Sequence, residues 1–254
     1  MELSKRGLLK LIGLALLGAI ARPVLGALSR FKVAGAAHWA GGFAGKSWAM
    51  AVNLKSCTGC GDCIDACHRT HNVPAIGNPK DEVKWLWTLR YEQVFPEQKG
   101  EFIKKELRGL PTLVLCNHCD NPPCAQVCPV VAIWKREDGI VMQDYHRCIG
   151  CRYCMLACPY DAISFNWRDP DPFIPEVNPD FPTRRPGVVE RCNFCQERVD
   201  KGLRPACVET CKENALVFGD LEDGESEVRR LLESHYSFRR KPELGTKPKV
   251  FYIA

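Results

Sequence analysis

Sixteen cysteines fall into four groups of four within 254 residues, and no other feature constrains this chain as strongly. The first group is Cys57, Cys60, Cys63 and Cys67, in CTGCGDCIDACH. The second is Cys116, Cys119, Cys124 and Cys128, in CNHCDNPPCAQVCP. The third is Cys148, Cys151, Cys154 and Cys158, in CIGCRYCMLACP. The fourth is Cys192, Cys195, Cys207 and Cys211, in CNFCQERVDKGLRPACVETC. Thiols this numerous and this regular are not incidental packing residues. An even count admits disulfides, and Cys-x2-Cys pairs admit metal.

The third group reads Cys-x2-Cys-x2-Cys-x3-Cys-Pro, the run that holds 4Fe–4S clusters in bacterial ferredoxins. Three close cysteines wrap one corner of a cubane, and the fourth ligates the other cluster of a pair. Zinc remains the stronger rival, because Cys-x2-Cys pairs build tetrahedral sites, and the second group alone would be ambiguous. Disulfides are weaker: neighbouring Cys-x2-Cys pairs are poorly placed for strain-free bridges, and a chain this long does not need so many. Three groups lead into a repeated Cys-x3-Ala-Ile/Leu segment, CPVVAI, CPYDAI and CKENAL, which predicts a short strand after each cysteine turn. The first group lacks it. Between the second and third groups, an Asp-Gly turn and the apolar Ile140-Val141-Met142 fit a two-cluster ferredoxin module.

The start of the chain reads as an export signal: Lys5, Arg6 and Lys10, an apolar run LLKLIGLALLGAIA, then small residues near Gly26. As a twin-arginine signal it departs by having Lys5 in place of the first arginine. Folded export suits a protein whose clusters are loaded in a reducing cytoplasm. The small-residue site favours cleavage; retention as a membrane anchor is the alternative. Of the formal charge of +5, residues 1–26 carry +3, so a loaded mature protein would be acidic, with about −2 per cluster. Nucleic-acid binding therefore gets no support. Residues 27–47 read as a linker. Within it, AGGFAGKS resembles a relaxed phosphate loop but has no strand before it, so nucleotide binding is not expected. Trp48–Leu54 reads as a strand, Ser226–Ser234 as a helix, and Lys249–Ile253 as part of a tail. The segment DPDPFIPEVNPDFPTRRPG is too proline-rich for helix or central strand and predicts an extended loop, a common kind of contact surface.

Taken with GDLEDGESEVRRLL and ELGTKPKVFYI after the last group, the four groups in this order closely resemble the four-cluster iron–sulfur subunits of the dimethyl sulfoxide reductase type. That family includes polysulfide, tetrathionate and formate-dependent nitrite reductase subunits. The leader and the AGKSWAMAVNL lead-in most resemble the extracytoplasmic ferredoxin subunits of Dsr membrane complexes. The resemblance implies an α+β fold of two bacterial-ferredoxin-like two-cluster modules with long loop insertions. Residues 48–115 and 168–220 would form the first module, 116–167 the second, and 221–254 a C-terminal helix and tail. It also implies the ligand sets of four 4Fe–4S clusters. Cys57, Cys60, Cys63 and Cys211 would hold a terminal one, and Cys192, Cys195, Cys207 and Cys67 its neighbour. A central pair would use Cys116, Cys119, Cys124 and Cys158, then Cys148, Cys151, Cys154 and Cys128.

The implied function is non-catalytic electron transfer within a membrane-associated complex. Its partners would be a quinone-interacting integral-membrane subunit and a cytochrome or catalytic subunit. A molybdenum-containing reductase is the alternative setting, and the location would be extracytoplasmic. No nucleophile–base pair or nucleotide fingerprint argues for catalysis. Near the ligands, Arg152 and Tyr153 are candidates for raising a cluster potential, or simply pack or face solvent. His68, His118 and His146 read as donors to ligands or as surface residues, not as ligands themselves. Trp85 and Trp87 read as core or interface rather than as electron relays.

Overall fold

The structure, a computed structural model, describes residues 43–98 and 105–254. The signal, and most of the linker with the start of AGGFAGKS, lie outside the described residues. Among the described residues, ten short strands and several helices of at most ten residues make a small mixed α+β architecture. They are β1 (Trp48–Asn53), β2 (Leu86–Arg90), β3 (Pro111–Leu115), β4 (Ile133–Lys135), β5 (Val141–Gln143), β6 (Ser164–Phe165), β7 (Val189–Glu190), β8 (Leu216–Asp220), β9 (Ser237–Phe238) and β10 (Val250–Ile253).

The largest sheet runs β8-β1-β10-β9. β1 is antiparallel to β8, with Met50 opposite Phe218, and parallel to β10, with Val52 opposite Tyr252. Ala49, Met50, Ala51 and Val52 are all buried, so WAMAV reads as an unbroken apolar run because both faces of β1 are covered. Met50 and Val52 face the main core. Ala51 lies under helix Glu227–Ser234, packed with Val217, Val228 and Ile253. Gly219 permits that close approach: a Cβ there would collide with Ser226 Oγ. The expected strand and helix at these two places are present. The segment after Ser47 is strand rather than helix, which removes the geometry a phosphate loop requires.

Residues 250–253 are not a free tail. They form β10 inside the sheet, and the stretch before them runs beside the second cysteine group: Lys249 N donates to Asn117 O at 2.8 Å and Asp120 N to Lys247 O at 3.0 Å. The strands expected after the cysteine turns are β4, β6 and β8. β4 and β5 form a hairpin whose Asp138-Gly139 turn is buried: Asp138 is 0% exposed, binds Arg136 and accepts a hydrogen bond from Trp48 Nε1 at 3.0 Å. β2 and β3 make a second hairpin from the insert between groups one and two.

The proline-rich segment is irregular, with one short 3-10 turn at Asp171–Phe173. Its inner side is anchored rather than free. Asn72, the left-handed cap of helix Asp62–His71, donates to the Asn178 and Phe181 carbonyls. Arg184 donates to the carbonyls of His71 and Asn72, so a cation sits at that helix's C-terminus, where the dipole favours it. Arg184 also pairs with Glu190 at 2.5 Å, both side chains wholly buried. Glu190 in turn accepts hydrogen bonds from Trp85 Nε1 and Asn166.

Candidate metal centre

Local backbone shape aims the thiols. Cys63 and Cys67 are one helical turn apart on Asp62–His71, and Cys57 and Cys60 lie in the loop before it. Glycines and left-handed residues bend the chain between ligands. Gly150, at φ 67°, lies between Cys148 and Cys151, and a Cβ there would collide with the Gly187 carbonyl. All sixteen cysteines are unbridged thiols.

Four sets of thiols crowd together. One cavity is lined by Cys116, Cys119, Cys124 and Cys158. A second is lined by Cys128, Cys148, Cys151 and Cys154. Cys63 is pushed up to about 12 by burial first, and then by Cys57, Cys211 and Cys60. Cys67 is raised well above a free thiol by burial, then by Cys192, Cys195 and Cys207. Burial and mutual repulsion likewise lift Cys119 and Cys124 to about 12 and Cys154 to about 11. Four buried thiolates repel one another and lack hydration; a polycationic iron–sulfur core among them removes both penalties. The protein also leaves buried polar groups unpaired, one of them on a cavity wall. Asn117 lines the first cavity, and its side-chain amide, His68 Nε2, His118 Nε2 and Arg191 Nε are buried without a partner. Thiol sets and spare donors together fit such a group.

The neighbours divide unevenly. His118 is fully buried, stacked on Phe194 at 3.7 Å, and its Nδ1 accepts from Val141 N at 3.0 Å. Burial first, then Arg191, keeps it neutral. It is not a surface residue. His146 is exposed. Arg152 is exposed and lies over the Trp167 ring at 4.8 Å. Trp85 is buried in the core and Trp87 packs at its margin. Two residues escaped the sequence reading. His71 is buried, its Nε2 donates to Glu197 at 2.8 Å, and its ligand atom lies within 4.8 Å of those of Cys195 and Glu197. Burial disfavours its charge, but Cys195 and Glu197 outweigh that and hold its pKa near 9. The signal was available: His71 follows Cys67 by one helical turn. Arg191, adjacent to Cys192, is 2% exposed, and nothing in its local sequence announces that.

Fold and thiol sets define a ferredoxin-type iron–sulfur protein. Residues 110–171 and 179–221 match the 4Fe-4S dicluster domain. The Hdr-like menaquinol oxidoreductase iron-sulfur subunit 1 of Archaeoglobus fulgidus is 39% identical over 98% of this chain and 97% of its own. Arsenate respiratory reductase iron-sulfur subunit ArrB of Shewanella sp. is 39% identical over 80% and 94%, and a tetrathionate reductase subunit of Salmonella typhimurium 36% over 100% and 89%. The chain belongs to the family of 4Fe–4S electron-transfer subunits of the dimethyl sulfoxide, tetrathionate and arsenate reductase type. Members of this family carry electrons within multi-subunit complexes and are distinct from the catalytic subunits. Among the described residues no helix is long and apolar enough to cross a membrane.

Proposed function

We propose that this chain is a wire of four 4Fe–4S clusters, arranged as two crossed ferredoxin-like modules within a membrane-associated redox complex. The observation that carries the reading is the mixed lining of the two cavities. Each takes three cysteines from one group and the last cysteine of another: Cys158 joins the second group, and Cys128 the third. Repulsion within the other two sets has the same form, with Cys211 beside Cys57, Cys60 and Cys63, and Cys67 beside Cys192, Cys195 and Cys207. Each cluster, when bound, exchanges one electron within a wide range of potentials. The chain's own residues hold the thiolates, exclude water and supply donors.

Electrostatic repulsion between thiols of different sets supports a linear order. Cys207 feels Cys63, Cys192 feels Cys116, and Cys124 feels Cys154. The Cys148 set then lies at one end rather than in the middle. Cys60 and Cys151 are the exposed cysteines, one in each outermost set, where an electron would enter and leave. The Cys151 end is rimmed by exposed Ile149, Tyr153 and Leu156, the composition of a protein contact.

Partners follow from the relatives' names. Menaquinol oxidoreductase and menaquinone reductase subunits support a quinone-interacting membrane subunit, with a cytochrome or catalytic subunit at the other end. The arsenate, tetrathionate and selenate reductase relatives favour the second setting, a molybdenum-type reductase. A narrower place among Dsr-complex subunits rests on the leader and lead-in alone. The module bounds 48–115 with 168–220, and 116–167, are proposed on the same crossed sets.

Protein purified anaerobically should contain about sixteen iron and sixteen acid-labile sulfide per chain. Zinc in their place, or iron near half that level, would overturn the reading. The extracytoplasmic location rests on the leader. Changing Lys5 and Arg6 together to Gln should leave cluster-loaded protein in the cytoplasm, and undiminished export of that variant would remove the argument.

A further inference from the structure

Arg191 stands at the joint between the two proposed modules and touches both. Its Nη1 donates to Cys116 Sγ at 3.4 Å and to the Cys192 carbonyl at 3.3 Å. Nη2 donates to the carbonyls of Val141 and Met142, at 2.9 and 3.0 Å. Buried Arg136 and Arg184 are neutralised by Asp138, Asp200 and Glu190. Among the described residues no carboxylate forms an ion pair with Arg191, and its Nε is buried without a partner. A guanidinium does not lose its proton in a protein, and burying it without an anion is strongly unfavourable. The ionisable groups facing it include the thiols of Cys116 and Cys124, the phenol of Tyr145 and the neutral imidazole of His118. Its charge also favours the thiolates of Cys154, Cys158 and Cys192.

We propose that Arg191 is a potential-setting residue of the wire, a permanent buried cation whose counter-charge is the cluster thiolates and which raises the reduction potential of the cluster held by Cys116. The inference rests on the four-cluster reading above. A cation beside a ligand thiolate favours the more negative, reduced state, and low local polarity strengthens the effect. Arg152, which the spacing of the third group suggested for this role, is solvated and lies over an indole ring. Arg191 is dry and touches a ligand sulfur.

The test compares holoprotein with Arg191→Gln and Arg191→Lys, reading cluster potentials by EPR-monitored redox titration together with iron content. In the Gln variant one potential should fall by at least about tenfold in electron affinity, about 59 mV for one electron. The Lys variant, whose ammonium the neighbouring thiolates hold protonated, should stay within about threefold of wild type. A fully loaded Gln variant with unchanged potentials overturns the proposal. Should the Gln variant lose iron, the Lys variant decides. Full loading with potentials within the threefold limit upholds the charge role, whereas a tenfold fall or a loss of iron there too makes Arg191 a packing residue. Wild-type protein lacking the sixteen iron would instead overturn the four-cluster reading, a failure visible before any variant is made.

Discussion

Replacing Cys211 with Ala should abolish the EPR signal that Cys57→Ala abolishes, and not the one that Cys207→Ala abolishes. Cys211 follows Cys207 on the same turn, so proximity in sequence argues for a shared cluster. The thiols beside Cys63 argue otherwise, since Cys57, Cys211 and Cys60 are the ones that raise it. The last cysteine of such a run leaves the helical turn pointing away from its own cubane. Iron should fall by about a quarter, one cubane of four, unless a three-iron species survives on the remaining thiolates. The reciprocal variant Cys67→Ala should disturb the signal shared by Cys192, Cys195 and Cys207, whose thiols surround it. If Cys211→Ala instead matches Cys207→Ala, the crossed assignment fails, and the proposed order of the wire fails with it.

Glu190→Ala should destabilise the protein by about 3–5 kcal/mol, because it leaves the Arg184 guanidinium buried and unpaired. Both side chains of this pair are 0% exposed, at 2.5 Å. The substitution also strips an acceptor from Trp85 Nε1, bonded at 2.8 Å, and from Asn166. Arg184 ties the end of helix Asp62–His71 to the proline-rich segment, so the loss reaches the helix that carries Cys63 and Cys67. Denaturant midpoints of the holoprotein measure it. Glu233→Ala, which breaks the exposed Arg229–Glu233 pair, serves as the control and should barely move the midpoint. A Glu190→Ala midpoint no lower than that of the control would show that the buried pair does not hold the segment in place.

Much of the site was legible without coordinates, and the reason is reach. Ligands two or three residues apart can wrap a cubane corner whatever the rest of the chain does, so the four cysteine groups and the class of cofactor follow from spacing. Short-range pattern likewise predicts a strand over Trp48–Leu54, the strands after the cysteine turns, and a helix over Ser226–Ser234, found as Trp48–Asn53 and Glu227–Ser234. Contacts far apart in sequence are another matter. Lys249–Ile253 has the composition of a tail, yet β10 pairs with β1 across some two hundred residues and Lys249 N binds Asn117 O, as only the closed sheet permits. The proline-rich segment is correctly non-helical from its composition, but its attachment through Asn72 and Arg184 depends on the end of a helix more than a hundred residues earlier. Which thiol sets lie side by side, and that Arg191 rather than Arg152 is buried against a ligand sulfur, were decided by the tertiary structure alone. Charge acts through space at a strength set by burial, and burial at residue 191 is created by β5 and the second cysteine group, not by its neighbours in the chain.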